Sequence, residues 1–381
     1  MGLWNKTVLA GTRAYFKRQV KKRPLIPLSC RNLDSIRRIL LVSNTAIGDT
    51  LLSTPAIRAV KKSYPDRHVG LVCDARYQSL VHRNPHIDQI HLSRSKFYGM
   101  KSLIRELRDV GYDVAVILHG NDPESVPMCY LAGTETIIGM GTSKFRFLTS
   151  DPVDIVDPFL HTIERRLELV RRIGAEAHGV HMDLVTSPET DVAAAEIVRR
   201  HLGNIKGPLV GLHPAGSGSY KWWPWKRFVE IADRLTAEYE AGFIVFCGAR
   251  EADLGDSIAR AIRAPSFATN GLYDLSVVAG MLKQCDLLVT TDSGPMHMGF
   301  SLEVPTLALI GADHPARIGP YRVGQVEVLY RKEEVCAEPK CTNRKCPDNV
   351  CLKAIEVDDV WERISTRFRA ILNNGRTKEI L

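Results

Sequence analysis

No run of apolar residues in the 381-residue sequence approaches the roughly 18 that a helix needs to cross a bilayer, so an integral membrane protein is not expected. The apolar residues near the N-terminus are too often interrupted by charge to form a convincing secretory signal. Short-period repeats and low-complexity tracts are also absent. Hydrophobic residues make up 45% and charged residues 25% of the chain, which is the ordinary balance of a soluble globular protein.

Beyond its first 24 residues the sequence has almost no net charge. The whole chain carries 51 Lys and Arg against 43 Asp and Glu, a formal net charge of +8. Seven of the basic residues precede Pro24, in a stretch without an acid: Lys6, Arg13, Lys17, Arg18, Lys21, Lys22 and Arg23. The rest of the chain is close to neutral, so we expect no nucleic acid among the partners.

Residues 1–36 are predicted to form a basic amphipathic N-terminal arm. Apolar and aromatic residues are mixed with its Lys and Arg: Leu3, Trp4, Val8, Leu9, Tyr15, Phe16 and Val20. This mixture suits a helix on an anionic lipid surface, where each basic residue contributes about 1 kcal/mol. A frayed, solvated arm is the alternative. We expect a cytoplasmic protein whose arm would contact the inner face of the cytoplasmic membrane.

The nine cysteines are an odd number and five of them are scattered, which argues against a disulfide scaffold and for a reducing compartment. Cys73, Cys247 and Cys285 lie in or beside apolar, strand-like runs. We therefore expect these three to be small buried hydrophobic side chains.

The other four cysteines recur at intervals of five residues and define a four-cysteine segment, residues 336–351: Cys336, Cys341, Cys346 and Cys351. Such a segment can bind a structural zinc ion or an iron–sulfur cluster. Its spacing contains no CxxC pair, so free or paired thiols are the alternative. In either case we assign the segment no catalytic role.

Branched apolar runs alternate with helix-like stretches along the chain. Strands are predicted at 37–43, 69–73, 89–92, 114–118, 208–213, 242–247, 286–290 and 305–310. Helices are predicted at 50–64, 101–109, 192–201, 226–239 and 358–372. Alternation of this kind predicts an α/β protein with parallel sheets covered by helices.

The pattern restarts after a linker-like stretch at 186–190, which predicts two Rossmann-like domains whose sheets face a central cleft. The N-terminal domain is predicted at 37–187 and the C-terminal domain at 188–355, followed by a helix and tail at 356–381. Ligands of such sheets bind at the carboxyl ends of the strands.

The first of three polar loops follows the strand at 37–43. Gly48 and Asp49 stand there at a strand-to-helix turn, where a carboxylate can act as general base for an acceptor hydroxyl. The alternative is that Asp49 only caps a helix beginning at Thr50. The loop lacks the further glycines of a dinucleotide fingerprint and the Gly-Lys-Ser/Thr of a P-loop, which argues against hydride transfer and ATP hydrolysis by those routes.

The second polar loop, residues 213–224, follows the strand at 208–213. Its small residues would let the backbone approach a phosphate, and Lys221 would supply a point charge against it. An ordinary flexible loop with a solvated lysine is the alternative. Trp222 and Trp223 make that alternative weaker, because two tryptophans need a surface to pack on.

The third polar loop follows the strand at 286–290 and contains Asp292, Ser293 and Gly294. Exposed amides at a helix N-terminus suit an anion such as a diphosphate. His297 lies one turn into that helix. A lone histidine is more often structural, but its place beside this turn favours a role in the site.

The three loops share their residue patterns with a known family. The patterns are Gly-Asp followed by Thr-Pro-Ala, a Pro-x-Gly-Ser loop leading to Lys-x-Trp-Pro, and Asp-Ser-Gly-Pro-x-His; they stand here within 48–56, 214–224 and 292–297. Together they resemble glycosyltransferase family 9, which includes the lipopolysaccharide heptosyltransferases. The resemblance covers about residues 37–365 and leaves out the basic arm.

The resemblance implies a GT-B fold and an inverting glycosyltransferase that needs no metal for catalysis. It implies transfer of heptose from ADP-heptose to a lipid-linked saccharide, the inner core of lipopolysaccharide. The N-terminal domain would bind this acceptor and the C-terminal domain the nucleotide-sugar donor.

The resemblance also implies roles for individual residues. Asp49 would be the general base. The donor-binding residues would be Ser217, Lys221, Glu251, Asp292, Ser293, Gly294 and His297. Among these, Lys221 and the amides near Ser293 and Gly294 would hold the diphosphate, and Glu251 would contact the ribose. Lysine and helix N-termini can neutralise a leaving diphosphate in place of a cation.

Two other functions fit the same sequence. A member of the family could use another nucleotide sugar or another glycan acceptor, because a few pocket side chains decide the choice of sugar. A non-catalytic nucleotide-binding or metal-sensing module could also be built on this fold, with the four-cysteine segment as its sensor.

Overall fold

The computed structural model describes residues 6–94, 99–120, 123–337, 346 and 348–374. The chain forms two compact units, unit 1 over Met1–Val180 and unit 2 over His181–Leu381. Each unit contains a six-stranded parallel sheet with helices, which confirms the predicted α/β class with two Rossmann-like domains. Within the described ranges, no helix is long and apolar enough to cross a membrane.

The sheet of unit 1 is built on branched apolar runs. Its strands are β1 Arg38–Ser43, β2 His68–Asp74, β3 Gln89–Ser93, β4 Val114–Ile117, β5 Thr136–Met140 and β6 Asp151–Val153. They lie in the order β3-β2-β1-β4-β5-β6. β4 is buried throughout and β1 from its second residue on, as the middle strands of a parallel sheet should be. Val42 pairs with Ile117, so β1 and β4 end side by side.

The described residues of unit 1 contain five α-helices. They are α1 Lys6–Lys22, α2 Ile47–Ser63, α3 Met100–Val110, α4 Ser125–Ala132 and α5 Thr162–Arg171. α5 packs against α2 and buries Ile163, Leu167 and Val170, which share one helical face. The start of α2, which carries the first polar loop, is therefore held against a rigid neighbour.

α1 is docked on unit 1 through an aromatic contact. Phe16 is 5% exposed and meets Tyr130 and Phe145 edge-on, with ring centroids 6.1 and 6.0 Å away. Two other apolar residues of the helix pack on the same cluster: Leu9 and Val20. The described part of the arm is thus a packed helix and not a frayed segment; residues 1–5, with Leu3 and Trp4, lie outside the described residues.

The sheet of unit 2 is also fully parallel. Its strands are β7 Leu209–His213, β8 Gly242–Val245, β9 Ser266–Ala268, β10 Leu287–Thr291, β11 Thr306–Ile310 and β12 Val326–Tyr330. They lie in the order β12-β11-β10-β7-β8-β9. The two middle strands, β7 and β10, are buried at every residue.

Helices cover both faces of this second sheet. They are α6 Pro188–Leu202, α7 Trp225–Tyr239, α8 Ala252–Ala261, α9 Leu275–Gln284, α10 Gly294–Ser301, α11 Pro315–Ile318, α12 Lys332–Val335, α13 Val350–Lys353, α14 Val357–Arg363 and α15 Arg369–Asn374. A π-helical turn, Ile364–Phe368, joins α14 to α15. The helix predicted at 358–372 is therefore present but changes its winding midway.

Both sheets have the same strand order when each is counted from its own first strand: third, second, first, fourth, fifth, sixth. In this doubly wound order the direction of winding reverses between the first and fourth strands, and ligands bind beyond the carboxyl ends of those strands. The reversal lies between β1 and β4 in unit 1 and between β7 and β10 in unit 2. The three polar loops follow β1, β7 and β10, so every one of them starts at a reversal point.

Candidate functional site

Asp49 lies inside the first turn of α2 in unit 1. The helix begins at Ile47, its N-cap is Ala46, and no side chain caps it. The alternative in which Asp49 caps a helix starting at Thr50 is therefore wrong. The side chain of Asp49 is 45% exposed, so its carboxylate is accessible to a substrate.

The partner of Asp49 is Arg166, which no motif in the sequence marked as a site residue. Its side chain, on α5, is only 2% exposed. Nη2 donates a 2.7 Å hydrogen bond to Asp49 Oδ1, Nη1 donates to the Asp49 carbonyl oxygen, and Nε donates to the Leu118 carbonyl oxygen at 3.1 Å. Burial lowers the pKa of Arg166, and the charge of Asp49 opposes that change. The guanidinium thus fixes both the backbone and the carboxylate of Asp49.

One carboxylate oxygen of Asp49 remains available to accept a proton. Oδ1 is occupied by Arg166, whereas Oδ2 has no hydrogen-bond partner among the residues that the structure describes. A half-exposed carboxylate with one oriented, accessible oxygen can accept a proton from a hydroxyl. The site of unit 1 is therefore suited to general-base chemistry.

Lys221 and Asp292 form an ion pair in unit 2, between the loops that follow β7 and β10. Their side chains are 18% and 7% exposed. Burial lowers the pKa of Lys221, but the charge and hydrogen bond of Asp292 outweigh it, so the pKa lies above its usual value. Lys221 is consequently a fixed cation at neutral pH.

Small residues let these two loops touch. A Cβ atom at Gly216 would lie 3.0 Å from Cβ of Lys221 and 3.5 Å from the carbonyl oxygen of Asp292. The hydroxyl of Thr291, at the end of β10, donates a 2.6 Å hydrogen bond to the carbonyl of Ala215. A side chain at 216 would therefore press on the Lys221 side chain, because the two loops approach closely here.

The N-terminus of α10 adjoins the Lys221–Asp292 pair. Ser293 is its N-cap but makes no capping bond; its hydroxyl donates to the carbonyl of Thr291 at 3.0 Å. The first-turn amides of α10, beginning at Gly294, therefore remain available to an anion, and the helix dipole favours one there. His297 is 5% exposed and packs edge-on against Phe300.

Two further predicted donor residues, Ser217 and Glu251, lie on loops of the same unit. Ser217 is exposed and its hydroxyl lies 3.0 Å from the Tyr220 hydroxyl. Glu251 is the N-cap of α8 and follows β8, the strand beside β7. Both follow strands at the carboxyl edge of the sheet, and within the described ranges neither makes a hydrogen bond to Lys221 or Asp292. The role of each residue stays a prediction.

The tryptophan pair anchors the second loop, as predicted. Trp223 is 1% exposed, its Nε1 donates a 2.8 Å hydrogen bond to the Ile355 carbonyl, and its ring meets Phe228 edge-on. The loop that carries Lys221 is therefore tied to the core of unit 2.

His213, the last residue of β7, is a second group that sequence reasoning did not single out. It is 6% exposed, and its Nδ1 contacts the Phe246 carbonyl oxygen. Burial lowers its pKa to about 4, so the ring is neutral at physiological pH. It is a buried neutral group at the first position of the second polar loop.

The cysteines fall into two groups. Cys73, Cys247 and Cys285 are buried as predicted, and burial raises the pKa of the first two thiols to about 12. Cys336, Cys346 and Cys351 form no disulfide within the described ranges. Cys341 lies outside the described residues. In the ranges that are described, no cluster of three or more metal-ligating side chains occurs.

The sequence matches the model of the family described as glycosyltransferase family 9 (heptosyltransferase) over residues 100–347. Lipopolysaccharide heptosyltransferase 2 of Escherichia coli (strain K12) is 24% identical over 295 residues, which cover 73% of this chain and 84% of that protein.

Solved structures have the same fold. The family 9 glycosyltransferase of Veillonella parvula DSM 2008 superposes with a TM-score of 0.74 at 23% identity, covering 88% of this chain and 97% of that one. The E. coli heptosyltransferase WaaC, solved with ADP, gives a TM-score of 0.66 at 18% identity and covers 87% of this chain and 99% of that one. These similarities confirm the predicted GT-B fold.

Proposed function

The chain belongs to glycosyltransferase family 9 and is a glycosyltransferase, and we propose that it transfers heptose from ADP-heptose to an inner-core acceptor of lipopolysaccharide. The observation that carries the donor part of this proposal is the buried Lys221–Asp292 pair beside the N-terminus of α10. A lysine and a helix N-terminus at one reversal point form a site for a diphosphate. The relative solved with ADP supports adenine as the base of the donor.

In this proposal, different residues bind different parts of the nucleotide sugar. Lys221 and the first amides of α10 hold the diphosphate, with Ser217 at the same pocket. Three further residues complete the donor site in this proposal: Asp292 and His297 along the sugar and diphosphate, and Glu251 at the ribose. Binding the diphosphate gives Lys221 a second anionic partner beside Asp292.

The reaction is an inverting displacement. The acceptor hydroxyl oxygen attacks the anomeric carbon, its proton passes to Oδ2 of Asp49, and the bond from that carbon to the diphosphate oxygen breaks. The electron pair leaves with the nucleoside diphosphate. Lys221 and the α10 amides stabilise the charge that develops there, and no step needs a metal ion.

The acceptor is lipid-linked, and α1 offers a surface for the membrane that contains it. Because the apolar side of the helix packs on unit 1, the outward side is the basic face of α1: Arg18, Lys21 and Lys22, all exposed. Contact with the inner face of the cytoplasmic membrane is then electrostatic, and the enzyme is cytoplasmic.

Nucleotide binding and transfer test the proposal together. Calorimetric titration with ADP, UDP and GDP should show a clear preference for ADP, and Asp49→Asn should bind ADP normally but lose transfer to inner-core saccharides. A preference for UDP or GDP would keep the mechanism and assign another donor sugar. Full transfer activity of Asp49→Asn would refute the general-base assignment.

A further inference from the structure

We infer that Arg166 is a positioning residue, which holds Asp49 so that Oδ2 alone faces the acceptor hydroxyl. The inference rests on the proposed role of Asp49 as the base. The supporting observation is that one guanidinium donates three hydrogen bonds: to Asp49 Oδ1, to the Asp49 carbonyl oxygen and to the Leu118 carbonyl oxygen.

The geometry leaves Asp49 little freedom. A carboxylate alone can turn about its last torsion, because that torsion is broad and roughly two-fold. Here the planar guanidinium binds the backbone carbonyl and one carboxylate oxygen of the same residue, which defines both the position and the plane of the side chain. Rotation about the last torsion of Asp49 would break the bond to Oδ1.

The anchor of Arg166 lies at the reversal point of the sheet. Leu118 follows β4, and its amide donates a 2.9 Å hydrogen bond to the Val42 carbonyl on β1. The third guanidinium bond therefore ties Asp49 to the two middle strands of unit 1. Two neighbouring strands and α5 are thus all fixed relative to the base.

The cost of burying Arg166 argues for this role. Removing a cation from water costs several kcal/mol, and an apolar residue fills such a core position more cheaply. Three of the core residues around it on α5 are apolar: Ile163, Leu167 and Val170. A cation at this position is explained by its partner, a carboxylate that remains 45% exposed.

The kinetic test separates positioning from general stability. Arg166→Met should lower kcat about 100-fold, the loss expected for a reacting group displaced by about 1 Å, while the KM for the donor and the Kd for ADP stay within twofold. Arg166→Lys keeps the charge but cannot make all three bonds, so its loss should be about tenfold. The control Arg171→Met, an exposed arginine of the same helix, should keep the wild-type kcat.

A double-mutant cycle shows whether Arg166 acts through Asp49. In the Asp49→Asn background, Arg166→Met should lower the residual rate less than about threefold, because the group that it positions is already gone. A further 100-fold loss there would overturn the inference. If Arg166→Met does not fold, Arg166→Lys carries the test, and a kcat within twofold of wild type would overturn it.

The two proposals can fail separately. If Asp49→Asn retains the wild-type kcat, the base assignment falls and the inference falls with it. If Asp49→Asn is inactive while both Arg166 variants turn over at the wild-type rate, only the inference on Arg166 is wrong.

Discussion

Replacing Lys221 by Met separates the two interactions assigned to this lysine. It pairs with Asp292, whose side chain is 7% exposed, and in the proposed function it also binds the donor diphosphate. The substitution leaves a buried carboxylate without its cation, and breaking a buried ion pair costs about 3–5 kcal/mol. We expect the free energy of unfolding to fall by about that amount, measured by urea-induced unfolding.

The same substitution should weaken ADP binding. A hydrogen bond to a charged group contributes about 1.5–3 kcal/mol, so the Kd for ADP should rise roughly 10- to 150-fold. The double variant Lys221→Met/Asp292→Asn removes both charges; it should regain most of the lost stability and still bind ADP weakly. Lys226→Met, at an exposed lysine of α7, is the matched control and should change neither quantity.

Calorimetric titration of the double variant with ADP tests whether Lys221 binds the diphosphate. Wild-type ADP affinity in Lys221→Met/Asp292→Asn would mean that Lys221 serves only to pair with Asp292, and the diphosphate assignment would be refuted. Unchanged unfolding of the single variant Lys221→Met would refute the view that the pair is buried enough to matter for stability.

Three further predictions concern other parts of the chain. Replacing the three residues of the basic face of α1 by Gln should weaken binding to phosphatidylserine vesicles by about 3 kcal/mol, roughly 150-fold, and Arg199→Gln/Arg200→Gln on α6 should not; equal binding would exclude this face as the contact. Because His213 takes up a proton at about pH 4 when folded and 6.5 when unfolded, stability should fall by up to about 1.4 kcal/mol per pH unit as the pH drops between these values. His213→Asn should lessen this slope, and an identical slope would contradict the argument. Elemental analysis of protein purified without chelators should find about one zinc, or about two to four irons, per chain if the four-cysteine segment is a metal site, and thiol titration should find reactive cysteines there if it is not.

The central strands were predictable from the sequence because each is a branched apolar run. Four strands among the described residues were missed: β5 Thr136–Met140, β6 Asp151–Val153, β9 Ser266–Ala268 and β12 Val326–Tyr330. Two of the four are too short and too polar to be marked by an apolar run. β6 Asp151–Val153 and β9 Ser266–Ala268 are three residues long, and β6 contains a proline; both lie at a sheet edge and pair with a single neighbour. Such short segments become strands because they form hydrogen bonds to a neighbouring strand, and the local sequence does not reveal those bonds.

The candidate site was predicted in part for a similar reason. The polar loops are local patterns after strong strands, so the sequence could mark Asp49, Lys221 and Asp292 as candidates. The partner of Asp49 comes 117 positions later, where no local motif marks it. A signal was nevertheless present: Arg166 occupies the apolar face of α5 at the spacing of core residues, and a charge in such a position needs a buried partner.

In each of the two sites, the more exposed charged side chain is paired with an opposite charge that is more deeply buried. Asp49 is 45% exposed and its partner Arg166 2%, while Lys221 is 18% exposed and its partner Asp292 7%. In each pair the deeper charge orients the outer one. The consequences for turnover differ, however. An acceptor hydroxyl can meet Oδ2 of Asp49 without breaking the bond to Arg166, whereas a donor diphosphate binds the same ammonium of Lys221 as Asp292, through another of its N–H donors. In the proposed mechanism, Asp49 therefore keeps one oxygen unoccupied before the acceptor binds, and Lys221 stays paired with Asp292 while it takes up the diphosphate as a second anionic partner.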